Sequence, residues 1–348
     1  MNKRLVAAAA AALLTLIAAS CGDDDDSDSA ASATEAPDTA ATAAPATASS
    51  NTSAVAEGGD KPYIALISKG FRHQFWQAVK QGAEQAATEF DVTVTFEGAE
   101  EEGNVEQQMQ LLQTVLDKKP EAVGFAAIDS QASIPLMEQA KADGIPVIAF
   151  DSGVDSDVPL TTASTDNLAA AAEAAKHMAE LIGHSGKIAM VVHDQTSVTG
   201  VQRRDGFVQY MEANEPDIEI VDIQYSGDPL VATDIAKAII NANPDLKGLF
   251  GSNEGAAIGI VHAVQELDIA GDLTIVGFDS GKDQIDAINS GLMAGAITQN
   301  PVGIGYETVK AAVDYLNGAT LPKTIDTGFY WYDKTNIDDP TIAALLYQ

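Results

Sequence analysis

From residue 61 onward, short β-branched apolar runs alternate with stretches whose apolar positions recur every three or four residues. Short apolar runs bounded by turn residues read as buried strands, and the second pattern reads as amphipathic helix. Strands are predicted at 63–68, 92–97, 122–128, 146–151, 160–164, 187–193, 219–225, 248–252, 274–278 and 294–298. Helices are predicted at 104–117, 134–143, 167–182, 202–214, 233–241, 254–267 and 303–316, with another after the first strand carrying Val79, Ala83, Ala86 and Phe90. Alternation of apolar strands with helices implies parallel sheets covered on both faces. Ten strands are too many for one doubly wound unit in a chain of 348 residues. The expected fold class is therefore α/β, with two doubly wound parallel-sheet lobes. No solenoid-length repeat interrupts the rhythm.

In open parallel sheets, ligands bind just beyond the carboxyl ends of the strands. The first strand runs into ISKGFRHQFWQAVKQG, which crowds aromatics and charges where a packing-only turn would use Gly, Asn, Asp or Pro. Here Phe75 and Trp76 are expected to cover a ligand and His73 to bond it, with Lys69, Phe71 and Arg72 on the rim. Other strand ends carry Asp151, Asn253, Asp279 and Gln299, and the loop after 187–193 leads to Arg203. Asp, Asn, Gln and Arg can each bond two neighbouring hydroxyls, and an aromatic ring can cover the apolar face of a sugar. A buried polyol needs every hydroxyl matched, which accounts for so many polar termini on one edge. The competing assignment makes Asp151 and Asp279 helix caps, and Phe75 and Trp76 core.

The net charge of −32, with 19 basic residues, excludes a sequence-independent grip on nucleic acid. Residues 1–21 read as a targeting segment: Lys3 and Arg4, then an apolar stretch, then Ala18-Ala19-Ser20-Cys21. Cys21 is the single cysteine, so no intramolecular disulfide can form. Its placement after small residues resembles a bacterial lipobox and marks Cys21 for lipidation, although Ala18 stands where Leu is usual. Residues 22–60 hold nine acidic residues, no basic one and no aromatic, the composition of a disordered acidic tether. The expected layout is an exported, lipid-anchored domain working just outside a membrane. Enzymatic motifs are absent from the sequence. Gly251-Ser252-Asn253-Glu254-Gly255 has its Ser one place too early for a nucleophile elbow. His184-Ser185-Gly186-Lys187 is followed by Ile188, where a phosphate loop needs Ser or Thr. Five scattered histidines show no zinc-ligand spacing, so neither metal nor cofactor is expected.

The ordered motifs IALIS…QFWQAVKQGAE, IPVIAFDS, STDN, RRDGF, LFGSNEGAAIG, IVGFDS and AITQNP resemble those of periplasmic-type sugar-binding proteins of ABC importers, the ribose-binding branch of the type I fold. The resemblance spans 61–330. It implies a ligand site at His73, Phe75, Trp76, Asp151, Arg203, Asn253, Asp279 and Gln299, a sugar or polyol as ligand, and importer permease subunits as partners of a monomer. It also implies discontinuous lobes, 61–164 plus 300–325 and 165–299 plus 326–340, joined by a three-crossing hinge near 164–165, 299–300 and 325–326. Three departures point away from ribose itself: Ser152 where ribose receptors carry Arg, Gly227 where they carry Phe, and His73 where Asn is usual. A pentose, hexose, polyol or cyclitol remains open. The same fold serves LacI-type effector domains, but those need a helix-turn-helix where this chain has its targeting segment and tether. A chemotactic or quorum-type receptor differs only in partner. An enzyme would need an acid–base pair that the motifs do not supply.

Overall fold

The computed structural model describes residues 61–347, so the targeting segment, Cys21 and the acidic tether lie outside the described residues. The chain builds a first lobe from β1 (Tyr63–Ser68), α1 (Gln74–Glu89), β2 (Thr93–Gly98), α2 (Val105–Asp117), β3 (Ala122–Phe125), α3 (Ile134–Ala142), β4 (Val147–Phe150) and β5 (Thr162–Ser164). It then crosses to a second lobe for α4 (Asn167–Ile182), β6 (Gly186–Val192), α5 (Val198–Asn214), β7 (Ile218–Tyr225), α6 (Pro229–Ala242), β8 (Leu246–Gly251), α7 (Glu254–Glu266), β9 (Thr274–Phe278), α8 (Lys282–Ser290) and β10 (Gly295–Gln299). It returns for α9 (Pro301–Leu316) and β11 (Thr324–Asp326), and crosses once more to β12 (Phe329–Asp333) and α10 (Pro340–Ala343). The sheet orders are β11-β5-β4-β3-β1-β2 and β12-β10-β9-β8-β6-β7.

The central strands are largely buried, VIAF of β4 throughout and YIALIS of β1 from Ile64 onward, as sheets covered on both faces require. Each sheet packs an apolar cluster on either face. Every pairing is parallel except β10 with β12. That exception follows from the crossing. A strand leaving the carboxyl edge of sheet one enters sheet two at its carboxyl edge and must run the other way, and only Thr327 and Gly328 (φ 80°) separate β11 from β12. The same path shows that the two carboxyl edges face each other.

Several elements depart from expectation. Strands β11 and β12 and helix α8 carry no predicted counterpart. Helix α5 starts at Val198 rather than 202, because the Ser197 side chain caps it by accepting from Gly200 N. Helix α6 starts at Pro229, where Asp228 accepts from Leu230 N and Val231 N. Among the described residues, no helix is long and apolar enough to cross a membrane.

Candidate functional site

The facing edges enclose a narrow polar cavity with about 30 Å³ of free space. All eight residues named from the sequence line it: His73, Phe75, Trp76 and Asp151 from the first lobe, and Arg203, Asn253, Asp279 and Gln299 from the second. Lys69, Glu102, His193 and Thr199 line it as well.

On the first lobe, β1 delivers the chain to the first turn of α1. His73 caps this helix, its Nδ1 accepting from Phe75 N at 3.2 Å. Phe75 and Trp76 meet edge to face with centroids 4.9 Å apart, and Trp76 meets Phe150, the last residue of β4, in the same way at 6.3 Å. These rings belong to the lobe's apolar cluster and also line the cavity, so core and binding wall are one surface. The indole Nε1 donates to Glu102 Oε1 at 2.6 Å. Asp151 follows β4 with φ 53°, in the left-handed region that Asp tolerates better than most residues. It is not a helix cap. Its carboxylate has no hydrogen-bond donor among the described residues. Burial pushes its pKa up to about 6, against the pull of Lys69 and Arg203.

On the second lobe, the Arg203 guanidinium lies 3.7 Å from the centroid of the Phe278 ring. Its Nε donates to Asn167 Oδ1 at 2.8 Å and its Nη1 to the Ser252 carbonyl at 2.9 Å. Asp279 follows β9 with φ 78°. One carboxylate oxygen accepts from Gln299 Nε2 at 2.7 Å, while the other accepts from Glu254 N at 3.2 Å and lies 3.7 Å from Arg203 Nη1. Burial raises the Asp279 pKa, and Arg203 and Gln299 oppose the rise. The amide oxygen of Gln299 is buried with no donor. Asn253 spends its Oδ1 capping α7 through Ala256 N, which leaves its amide nitrogen as the cavity donor.

One sequence assignment is corrected here. Lys69, expected on the rim, is 3% exposed, and its Nζ lies 3.5 Å from Thr199 Oγ1 and 3.7 Å from Asp194 Oδ2. The loop after β1 turns inward before the Phe71 and Arg72 side chains reach solvent. His73, expected to bond the ligand, lines the cavity with its Nε2 3.1 Å from Glu254 Oε2 on the second lobe. Burial opposes a charge on His73, but Glu254, Glu102 and Asp279 outweigh it and bring its pKa up to about 9.

His193 is buried, with Nδ1 2.8 Å from Ser252 Oγ and Nε2 3.2 Å from Thr199 Oγ1. Burial holds it neutral with its pKa down at about 3. Neighbouring Asp194 stays ionised despite burial because the Lys69 ammonium and the two Ser197 donors face it. Glu102 and His193 follow strand ends: Glu102 lies in the loop after β2, whereas His193 falls inside the run 187–193 predicted as strand, because β6 ends one residue earlier, at Val192. Among the described residues, contacts that cross between the lobes include Lys69 with Thr199 and Asp194, His73 with Glu254, Ser130 N donating to Thr196 O at 3.0 Å, and Ser280 N donating to the Tyr347 hydroxyl at 3.3 Å.

The arrangement offers an ionised or titrating acceptor with no protein donor, buried amide groups, a guanidinium stacked on an aromatic ring, and aromatic walls. It has no metal cluster: among the described residues, no group of three or more His, Cys, Asp or Glu could hold an ion. Two α/β lobes with facing carboxyl edges and a polar cavity between them define a cleft-binding receptor. Residues 64–320 match the periplasmic binding protein domain, and the chain belongs to that family. It is 26% identical over 260 residues to the D-allose-binding periplasmic protein of Escherichia coli, covering 72% of this chain and 83% of that one. An ABC transporter solute binding protein from Agrobacterium vitis, solved with α-D-tagatopyranose, superposes with a TM-score of 0.80 at 32% identity, covering 83% of this chain and all of that one. A second from the same organism, with bound D-fucose, gives 0.79 at 32% identity, covering 82% and 100%. These relatives are binding proteins.

Proposed function

We propose that the protein is the sugar receptor of an ABC importer. It binds one neutral monosaccharide or polyol between its lobes and releases it chemically unchanged. Family membership supports this reading, and the observation that carries it is Asp151. A carboxylate in a buried cavity, with no protein donor, is stabilised when ligand hydroxyls supply the bonds that water supplied outside. Arg203, Asn253, Asp279 and Gln299 would complete the polar contacts, Phe75 and Trp76 would cover the apolar face, and Lys69 would add a donor. Sugar that bridges both half-sites shifts the population toward the closed form, in which the lobes touch. The hinge would lie where the chain passes between the sheets. Export through the targeting segment, anchoring through lipid on Cys21 and a monomeric state belong to the same reading. They would hold the receptor beside its permease.

A melting-shift panel tests the ligand class. It should include D-allose, D-tagatose, D-fucose and D-arabinose, further pentoses and hexoses, polyols, cyclitols, amino acids and anionic metabolites. One neutral sugar or polyol is expected to raise the melting temperature, with stabilisation growing as RT ln(1 + [L]/Kd). A response only to amino acids or anions would overturn the ligand class. Anchoring is tested by labelling expressing cells with an alkyne-tagged fatty acid. Label on the wild type and none on Cys21→Ser is expected, and label on neither would remove the anchor.

A further inference from the structure

The family match ends at residue 320, and the chain continues to a short tail that has no place in the edge-of-sheet logic above. Within that tail, Ile342 sits in an apolar cluster of the second lobe and Leu346 packs against it. Tyr347 goes elsewhere. Its ring is buried in the first lobe's cluster with Ile64, Leu66, Phe75 and Trp76. It meets Phe75 edge to face at 5.9 Å and His73 at 6.3 Å. Its hydroxyl oxygen accepts from Ser280 N, back on the second lobe, at 3.3 Å. Tyr347 lines a separate groove with Gln74, Gln77 and Asn300 and does not line the sugar cavity. Whatever it does for the site, it does through its neighbours.

Those neighbours need holding. Asp279 adopts φ 78°, a region where a non-glycine residue persists only when its surroundings over-determine it. Two tyrosine hydroxyls flank the strained peptide: Tyr332 donates to the Asp279 carbonyl at 2.8 Å, and Tyr347 accepts from the next amide, Ser280. On the opposite lobe, the Phe75 ring has Trp76 on one side and Tyr347 on another. One side chain therefore touches the support of an acceptor on one lobe and of the aromatic wall on the other.

We propose that Tyr347 is a positioning residue of the sugar site, fixing the Phe75 and His73 rings from behind while its hydroxyl pins the turn that aims Asp279. The inference rests on the cleft being a sugar site. It makes the tail a further tie between the lobes, beside the three chain crossings and the contacts of Lys69, His73 and Ser130.

The test compares the wild type, Tyr347→Phe and Tyr347→Ala in the full chain. Calorimetric titration uses the panel sugar that gives the wild type its largest melting shift, at a temperature where all three proteins are folded. Hydrogen exchange at the Ser280 and Phe75 amides is followed without sugar. In Tyr347→Phe, which keeps the ring, Kd should rise about threefold, the loss of one neutral hydrogen bond. In Tyr347→Ala it should rise about tenfold or more, as an aromatic partner is lost too. Exchange should quicken at Ser280 in both variants and at Phe75 in the alanine variant, while the β4 amides stay protected. A lowered melting temperature with unchanged Kd would make Tyr347 a core filler and overturn the proposal. If the wild type takes no sugar, the receptor reading fails by itself. Exchange then still decides: unchanged protection at Ser280 and Phe75 in Tyr347→Ala overturns the positioning role.

Discussion

Asp151 carries opposed demands for folding and for binding. Its pKa, raised by burial from the ordinary 3.8 to about 6, means the folded protein prefers the neutral acid. The sign follows from linkage: the group's contribution to stability is full below its unfolded pKa and is lost as pH rises through the folded one. Above pH 6 the ionised carboxylate therefore costs stability, up to about 3 kcal/mol for a shift of this size. Asp151→Asn should accordingly raise the melting temperature of the sugar-free protein at pH 7.5 and weaken sugar binding. Wild-type affinity should fall as pH drops below about 6, because hydroxyl donors need the ionised acceptor. Scanning calorimetry and titration across pH 5–8 check both, and an Asn variant that is less stable yet binds normally would contradict the account. Arg203→Lys keeps a charge but loses the planar fork that bonds Asn167 and Ser252 and stacks on Phe278. Its sugar affinity should fall at least tenfold, an interaction loss of roughly 1.4 kcal/mol or more. At this scale the sequence is informative because strand direction decides which residues reach the cleft, whatever their side-chain rotamers. It is silent on which neighbours consume a donor. Nothing in the order of letters says that Phe75 N donates to Nδ1 of His73 while Glu254 stands beside its Nε2, or that Lys69 turns inward to Asp194.

Helices α1 and α9 cross in the first lobe at two glycines, which sets how closely the site's wall approaches the hinge. A Cβ at Gly82 would stand 1.9 Å from the Val302 carbonyl oxygen, and one at Gly305 would stand 1.8 Å from the Val79 carbonyl oxygen. Backbone cannot yield as a flexible side-chain tip can, so the helices must separate. Gly305→Ala should destabilise by about 1–3 kcal/mol, the usual penalty of overpacking. It should also weaken sugar binding, because α9 begins at Pro301, two residues past Gln299. Denaturant unfolding measures the first effect, and an alanine variant as stable as the wild type would refute close packing here. Elements with strong periodicity were legible, as α4 and β9 show by matching the predicted ranges. Strands β11 and β12 were not. Three residues, TID, are too short to show a period, and FYWYD earns its place by pairing with β10 and by the direction of the crossing rather than by alternation.

Over the whole molecule, the contact between the lobes has a charged component that does not depend on sugar. His73 on the α1 cap and Glu254 at the start of α7 meet across the cleft, and the pair lifts the His73 pKa to about 9 against burial. A histidine raised in this way stabilises the state that holds the pair. The contribution is complete below its unfolded pKa near 6.5 and disappears as pH rises through about 9. On the proposed closing motion an open state would separate the partners, so the same linkage would act on the opening equilibrium and lower apparent affinity when the competent state is less populated. Wild-type sugar affinity should therefore decline between pH 8 and 10. Glu254→Gln should bind more weakly at pH 7, by about fivefold or less for a partly exposed pair, and should lose the decline. Small-angle scattering of the sugar-free protein gives the independent reading: Glu254→Gln should have the larger radius of gyration at pH 7, converging with the wild type at pH 10. Equal radii at pH 7, together with parallel affinity profiles, would show that His73 caps its helix and does nothing for closure. The cap itself adds a constraint, because Nδ1 accepts from Phe75 N only while it carries no proton. Charging the ring therefore exchanges a helix-cap bond in one lobe for a stronger hold on the other.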